Sequence, residues 1–355
     1  MKHPLGYHSV ALLCITLVLG SIVVSHMRAT PLKVPVFALY TNEGFREAGT
    51  FWRGEIARVG GKIAYTEFLR AYASSTPGDQ HTMAHIFGGS LYEQEGVTGL
   101  SACDDLFAYG CFHEFLGRAI QQEGLTIVEA LNEACFKALG PGKALSCTHG
   151  LGHGIESYLG YTDDALIESL DVCKRLAYSD PIGGCPGGVF MEFNMRTMHS
   201  FSGMPPRSVE PDGLQYPCNI FTGGDAEVCY YWQPQWWYQS FKSEGKSSRD
   251  IVTRIGTLCS GTAMSVHTKC FQGVGTIVAM AADYDVAETI TLCALASART
   301  DERSSCIVTA ADSFFAEVSA RSRARGVCVG LIEPWYTMCG KAASGRSEVP
   351  SPGRD

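Results

Sequence analysis

The sequence has no CxxC pair, no HExxH, no GxSxG elbow, no phosphate-binding glycine loop, no dinucleotide fingerprint and no haem-attachment CxxCH. Zinc-ribbon, thioredoxin, zinc-peptidase, serine-hydrolase and nucleotide-binding readings therefore lack their motifs. Glu114 does follow His113, but the segment HEFLG has no second histidine to complete a peptidase site. Charge is also scarce, at 18% of residues, and 28 basic side chains face 36 acidic ones for a net −8. That balance speaks against a nucleic-acid groove, so no nucleic-acid partner is expected. Apolar material is plentiful, at 46% of 355 residues, which excludes a disordered chain and allows a large core.

Cysteine is abundant, with fifteen in all. Cys14 lies in an apolar run. The other fourteen fall in consecutive pairs: Cys103/Cys111, Cys135/Cys147, Cys173/Cys185, Cys218/Cys229, Cys259/Cys270, Cys293/Cys306 and Cys328/Cys339. Seven to twelve residues separate partners, and successive pairs start 32 to 45 residues apart. That period is the length of a helical hairpin repeat, two helices and two turns. Each pair is expected to form a disulfide within its own hairpin, with the first cysteine ending helix A and the second opening helix B. Each bridge would add ~2–3 kcal/mol by constraining a short loop. Thr126-Ile-Val-Glu129 reads as a capping box, and Thr162-Asp-Asp opens a helix carrying Leu166 and Leu170 on one face. GPGKALS and SDPIGG read as loops between partners.

Such cysteine usage belongs to an oxidising compartment. Residues 9–25 form an apolar run without charge, preceded by Lys2 and followed by Arg28 and Lys33. At this length it reads as an uncleaved signal anchor or a cleaved signal peptide, with a buried core helix as the alternative. Either export reading sends the remainder across a membrane, anchored or secreted. Residues 29–78 are expected to form lead-in helices, 79–199 histidine-bearing repeats, 200–217 a Pro/Gly-rich loop, 218–340 further repeats and 341–355 a frayed, disordered tail.

The histidines keep register with the cysteines. Two and six residues after Cys147 stand His149 and His153, and two after Cys111 stands His113 with Gly117 at the sixth. An earlier cysteine-free unit, GDQHTMAHIFG, fits the same frame from Asp79 and supplies His81 and His85. Histidines four apart share one helix face, the spacing by which a helix gives two imidazoles to one ion. The later repeats place Gly187/Met191, Tyr231/Gln235, Gln272/Thr276 and Val308/Asp312 there. Helices stack ~8–10 Å apart, so one pair plus His113 can hold one ion, whereas all five need a tight curl or two ions. Glu114 and Glu156 are candidate ligands, imidazole orienters or general bases, and Glu192 is a further candidate of the same kind. The competing readings are recognition of a partner's carboxylates on a concave face, and hydrogen bonds from the rings to hairpin carbonyls.

Cysteine period and hairpin layout over about residues 80–340 resemble the cysteine-rich, disulfide-stapled branch of tetratricopeptide-like repeat proteins. That resemblance implies a secreted all-α solenoid. The branch keeps seven residues between partners, as only Cys103/Cys111 does here, and its Gly-rich inter-repeat turn is missing. His81-x3-His85-x2-Gly88, Gly110-Cys111-x-His113-Glu114 and Cys147-x-His149-Gly150 look like motifs of exported proteins without assigned activity.

Gly150, Gly152, Gly154, Gly187, Gly188, Gly273 and Gly275 recur inside expected helices, each at a cost of up to ~1 kcal/mol against alanine. Close helix packing or backbone approach by a ligand would justify them. Tyr230, Tyr231, Trp232, Trp236, Trp237 and Tyr238 crowd one helix, with Trp232 and Trp236 as candidate cleft walls. Together these features predict an all-α solenoid of seven to eight stapled hairpins with a His-lined site for zinc, copper or iron. Such a site suits metal-dependent catalysis, and the rival expectation is a non-enzymatic protein-interaction scaffold.

Overall fold

A computed structural model describes residues 32–345, apart from 178–179, 199–203, 210, 212 and 318. The apolar run at 9–25, Cys14 and the tail from 346 lie outside the described residues, as does part of the 200–217 loop. Among the described residues there are fourteen α-helices and no strand. None of those helices is long and apolar enough to cross a membrane.

The helices divide into two sets by what they touch. In one set are α1 (Asn42–Val59), α3 (Pro77–Glu95), α4 (Gly110–Glu123), α6 (Pro141–Leu159), α8 (Cys185–Met195), α9 (Gly223–Lys242), α11 (His267–Ala281) and α13 (Thr300–Ala316). Each packs on the next in that order, and α13 packs on the terminal α14 (Trp335–Ala342). The other set, α2 (Gly61–Tyr72), α5 (Val128–Leu139), α7 (Asp163–Arg175), α10 (Ser248–Ser260) and α12 (Val286–Ala296), lies against neighbours of the first. Every cysteine among the described residues bonds its nearest partner. The bridges are Cys103–Cys111, Cys135–Cys147, Cys173–Cys185, Cys218–Cys229, Cys259–Cys270, Cys293–Cys306 and Cys328–Cys339, with Cα–Cα distances of 5.3–5.7 Å.

Helix boundaries differ from expectation in informative ways. The expectation that each second cysteine opens its helix holds only for Cys111 and Cys185. It is corrected at the other five. Cys270 lies three residues inside α11, which starts at His267, and Cys339 lies four residues inside α14, which starts at Trp335. Helices α6, α9 and α13 begin six residues ahead of Cys147, Cys229 and Cys306. The reason is that a disulfide constrains only the Cα separation of its partners, while the helix start is fixed by local turn chemistry. Before Cys270, the His267 ring meets the Thr262 carbonyl at 2.8 Å and holds the turn that leads into α11. Before Cys339, Pro334 flanks Trp335, and its missing N–H is no loss at a helix start. At α6 the cause is Gly140, whose φ of 73° stops α5, followed by Pro141 at the first helical position. GPGKALS is thus mostly helix rather than loop.

First cysteines also depart from the expected pattern. Cys103, Cys218 and Cys328 lie in or cap 3₁₀ turns instead of ending α-helices. Thr162 caps α7 through the Ala165 N–H at 3.2 Å. Thr126 forms no capping box: it lies in a 3₁₀ turn and donates to the Glu123 carbonyl at 3.0 Å.

The helix glycines are packing residues. A Cβ at Gly152 would stand 2.0 Å from the Cys185 carbonyl oxygen, and one at Gly275 would stand 2.3 Å from that of Cys306. In each case the glycine five residues after a second cysteine (Cys147 or Cys270) receives the backbone of the next helix at its own second cysteine. Gly188 and Gly273 repeat the converse contact, with a Cβ falling 2.0 Å from the His149 and Tyr231 carbonyl oxygens. The backbones approach closer than any side chain permits. The first-set helices are therefore locked in one register, and the positions two after each cysteine are carried along with it.

Candidate metal centre

That register delivers five imidazoles to one interior row. His81 and His85 come from α3, His113 from α4, and His149 and His153 from α6. Ring centroids lie 4.6 Å apart for His81–His85, 5.6 Å for His81–His113 and 5.4 Å for His85–His113. The row continues at 4.7 Å for His113–His153, 4.9 Å for His149–His153 and 6.2 Å for His113–His149. The imidazole donor atoms of His81, His85 and His113 all lie within 4.8 Å of one another, so this triad could hold a metal ion. Exposure is 2% for His85, 4% for His113, 8% for His149 and 0% for His153.

Burial sets the protonation of the cluster. It is the main force holding His81 down to about 3, with help from the neighbouring His85, and holding His85 down to about 4, with help from His153. His113 and His149 are likewise held well below the ordinary range by burial first and His153 second. These rings are neutral at neutral pH and keep a lone pair for a ligand bond.

Partners select the tautomers. His81 Nδ1 lies 3.0 Å from the Phe107 carbonyl oxygen, which can only accept, so Nδ1 carries the proton and Nε2 the lone pair. That Nε2 faces His85 Nε2 at 3.1 Å. The Phe107 carbonyl is aimed by an unusual turn: Phe107, Ala108 and Tyr109 all take positive φ, at 53°, 52° and 62°. None is glycine, and each such residue costs roughly 1–2 kcal/mol. Strain of this kind concentrates where position matters more than stability.

At the other end, His153 Nδ1 donates to Glu192 Oε2 at 2.8 Å, and its buried Nε2 has no hydrogen-bond partner among the described residues. Glu192, on α8, is itself fully buried. It accepts further from Tyr161 Oη at 2.7 Å, Thr197 Oγ1 at 2.5 Å and the Met198 N–H at 3.1 Å. This carboxylate–imidazole arrangement leaves Nε2 aimed as a ligand atom. His113, in the middle, has neither ring nitrogen hydrogen-bonded among the described residues. A buried donor and acceptor left unsatisfied cost about 1–3 kcal/mol each, and a bound ion would relieve the acceptor.

The remaining sequence candidates are placed as follows. Glu114 lies 3.8 Å from His85 Nδ1 and 3.3 Å from Arg118. Glu156 is fully buried, and burial pushes its carboxyl up to about 8. The neighbouring Glu192 carboxylate adds to that shift. Trp232 faces His149 at 4.9 Å and donates to the Ile182 carbonyl at 3.0 Å. Trp236 is away from the rings, buried in the core beneath the Arg207 guanidinium at 3.9 Å and bonded to the Arg207 carbonyl. Helix α9 accepts so many aromatics because it packs against α8, α10 and α11 at once. Tyr161, Thr197 and Phe107 escape a reading by sequence because none lies in register with a cysteine.

Fold and site define an all-helical protein stapled by seven local disulfides, with a His81/His85/His113 group that could hold a metal ion. Comparison with family models, curated proteins and solved structures found no match for the chain.

Proposed function

We propose that this chain is an exported α-solenoid whose N-terminal helices hold a transition-metal ion at His81, His85 and His113. The carrying observation is the convergence of three imidazole donors within 4.8 Å, from two helices locked by close packing. Seven disulfides support the oxidising compartment, with the 9–25 run as its anchor or signal. The consecutive packing of the first-set helices supports the solenoid.

Imidazole donors suit zinc, copper or iron, and the bound ion would supply Lewis-acid chemistry as zinc or redox chemistry as copper or iron. The chain's part is to orient and shield. Phe107 fixes the His81 tautomer, and Glu114 stands beside His85 while also lining a surface hollow of about 190 Å³ with Arg53, Glu93 and Arg118. Burial argues against a role for these imidazoles in gripping a partner's carboxylates.

Elemental analysis of the purified chain tests the reading. A stoichiometric transition metal is expected, lost in the His81→Ala, His85→Ala double variant. A protein that stays metal-free after equilibration with zinc, copper and iron refutes it. That result would favour the second reading, a scaffold for a protein partner.

A further inference from the structure

Three of the five histidines satisfy a mononuclear site, which leaves His149 and His153 unexplained. We infer that His113 bridges two metal ions as an imidazolate, one ion shared with His81 and His85 and the other with His149 and His153. This rests on the metal reading above and extends it to a dinuclear centre.

His113 occupies the one position from which both pairs are within reach. Its ring stands 5.6 and 5.4 Å from His81 and His85 on one side, and 6.2 and 4.7 Å from His149 and His153 on the other. Two imidazoles on one ion, with metal–nitrogen bonds of ~2 Å, place their ring centroids ~5 Å apart. Five of the six separations are near that figure, and His149 is the loosest ligand. Bridging also accounts for the feature that a single ion does not. An ion on one nitrogen of His113 would leave the other buried and unsatisfied, whereas both nitrogens lack partners among the described residues.

Among the described residues the convergence of donor atoms within 4.8 Å is found for the first triad, and the second half is recognised by its ring spacing and by how His153 is held. His153 has its Nδ1 proton tied to Glu192 and its Nε2 buried without a partner among the described residues. Glu192 is held by Tyr161, Thr197 and the Met198 backbone, so it cannot swing away. Such a carboxylate is the usual outer partner of a metal-bound histidine. Charge is partly offset: two divalent cations would meet the bridging imidazolate and the Glu192 carboxylate, with Glu114, paired to Arg118, beside His85. The proton balance is simple. Loading the second ion displaces the remaining N–H proton of His113 to solvent, while the other four rings bind as neutral imidazoles.

Copper(II) is a suitable probe, because two such ions joined by an imidazolate couple their spins. The full-length chain would be equilibrated with copper(II), freed of excess, and read for copper content and for integrated electron paramagnetic resonance intensity. Expected are two ions per chain with intensity well below that of two independent spins. The His149→Ala, His153→Ala variant should bind one ion and show its full intensity, and His113→Ala should abolish coupling. Near-ultraviolet circular dichroism checks that each variant is folded. If His113→Ala fails to fold, the wild-type intensity and the double variant still decide. One ion in the wild type, unaffected by loss of His149 and His153, overturns the bridge and leaves the triad standing. Two ions with fully independent spins also overturn it. No copper, zinc or iron at all removes both this inference and the reading beneath it.

Discussion

Helices α6 and α8 and helices α11 and α13 are assembled by the same contact, yet only the first region carries histidines two and six residues beyond a disulfide cysteine. In both, a glycine five residues beyond a disulfide cysteine, Cys147 in one and Cys270 in the other, lies against the carbonyl of the next such cysteine. In both, the residue two beyond the cysteine is set by that register. The difference is in what occupies it: His149 on α6, against Gln272 on α11 and Val308 on α13. Burial follows, since the histidines are enclosed while Gln272, Thr276 and Asp312 are half-buried. Scaffold and site are therefore separable. The packing requires glycine and cysteine in register, and the chemistry is written in two positions the packing leaves open.

The strongest way to break this comparison is to fill a glycine in each region. Gly152→Ala and Gly275→Ala each thrust a methyl onto a backbone carbonyl and should each cost at least about 3 kcal/mol in denaturant unfolding. Only Gly152→Ala should also lower metal content, because it alone displaces the helix carrying His149 and His153. Equal metal loss in both variants would show that site and scaffold are not separable.

A smaller effect isolates the buried acid near the site. The folded chain holds the Glu156 proton up to about pH 8, while the unfolded chain releases it near its ordinary value of 4.5. A raised pKa stabilises fully below that lower value and loses its contribution as pH climbs towards 8. Glu156→Gln keeps the neutral shape, so its advantage over the wild type should grow from near zero at pH 4.5 to on the order of 4 kcal/mol by pH 8. Parallel stability curves for the two proteins across that window would contradict the assignment.

The smallest effect separates two similar-looking threonines. Thr162→Ala removes a formed helix cap and should cost about 1 kcal/mol. Thr126→Ala removes none and should change unfolding by less than about 0.5 kcal/mol.

That last pair shows where reading from sequence succeeds and stops. The disulfide pairing, the all-helical class and the common face of the five histidines are legible, because each is a matter of spacing and helical period. Boundaries are less so: Pro141 reads as loop punctuation, but beside a left-handed Gly140 it starts a helix. Cys270 and Cys339 reveal their partners but not their depth within α11 and α14, because pairing and helix initiation answer to different residues. The Thr126 capping box is a correct pattern in the wrong turn. The left-handed run Phe107–Tyr109 has no glycine or asparagine to announce it. Tyr161 and Thr197 meet at Glu192 only through tertiary folding, which no period encodes. Trp236 reads as a cleft wall only if α9 buries a single face, and α9 buries several.

Every disulfide joins residues only 8 to 13 positions apart, and none links one hairpin to another. A chain delivered from its N-terminus into an oxidising compartment can therefore close each bridge before the next cysteine pair arrives. With the preceding cysteines already consumed, each new thiol has one local partner, and the native set forms in chain order without bond reshuffling. The order also dates the site. His81 and His85 arrive ahead of the first bridge, His113 arrives with it and His149 with the second, so the cluster is complete once Cys147 has paired and His153 has followed. More than half the chain has still to emerge at that moment. The interval between the second bridge and the burial of His153 against Glu192 is when an ion would have its easiest entry.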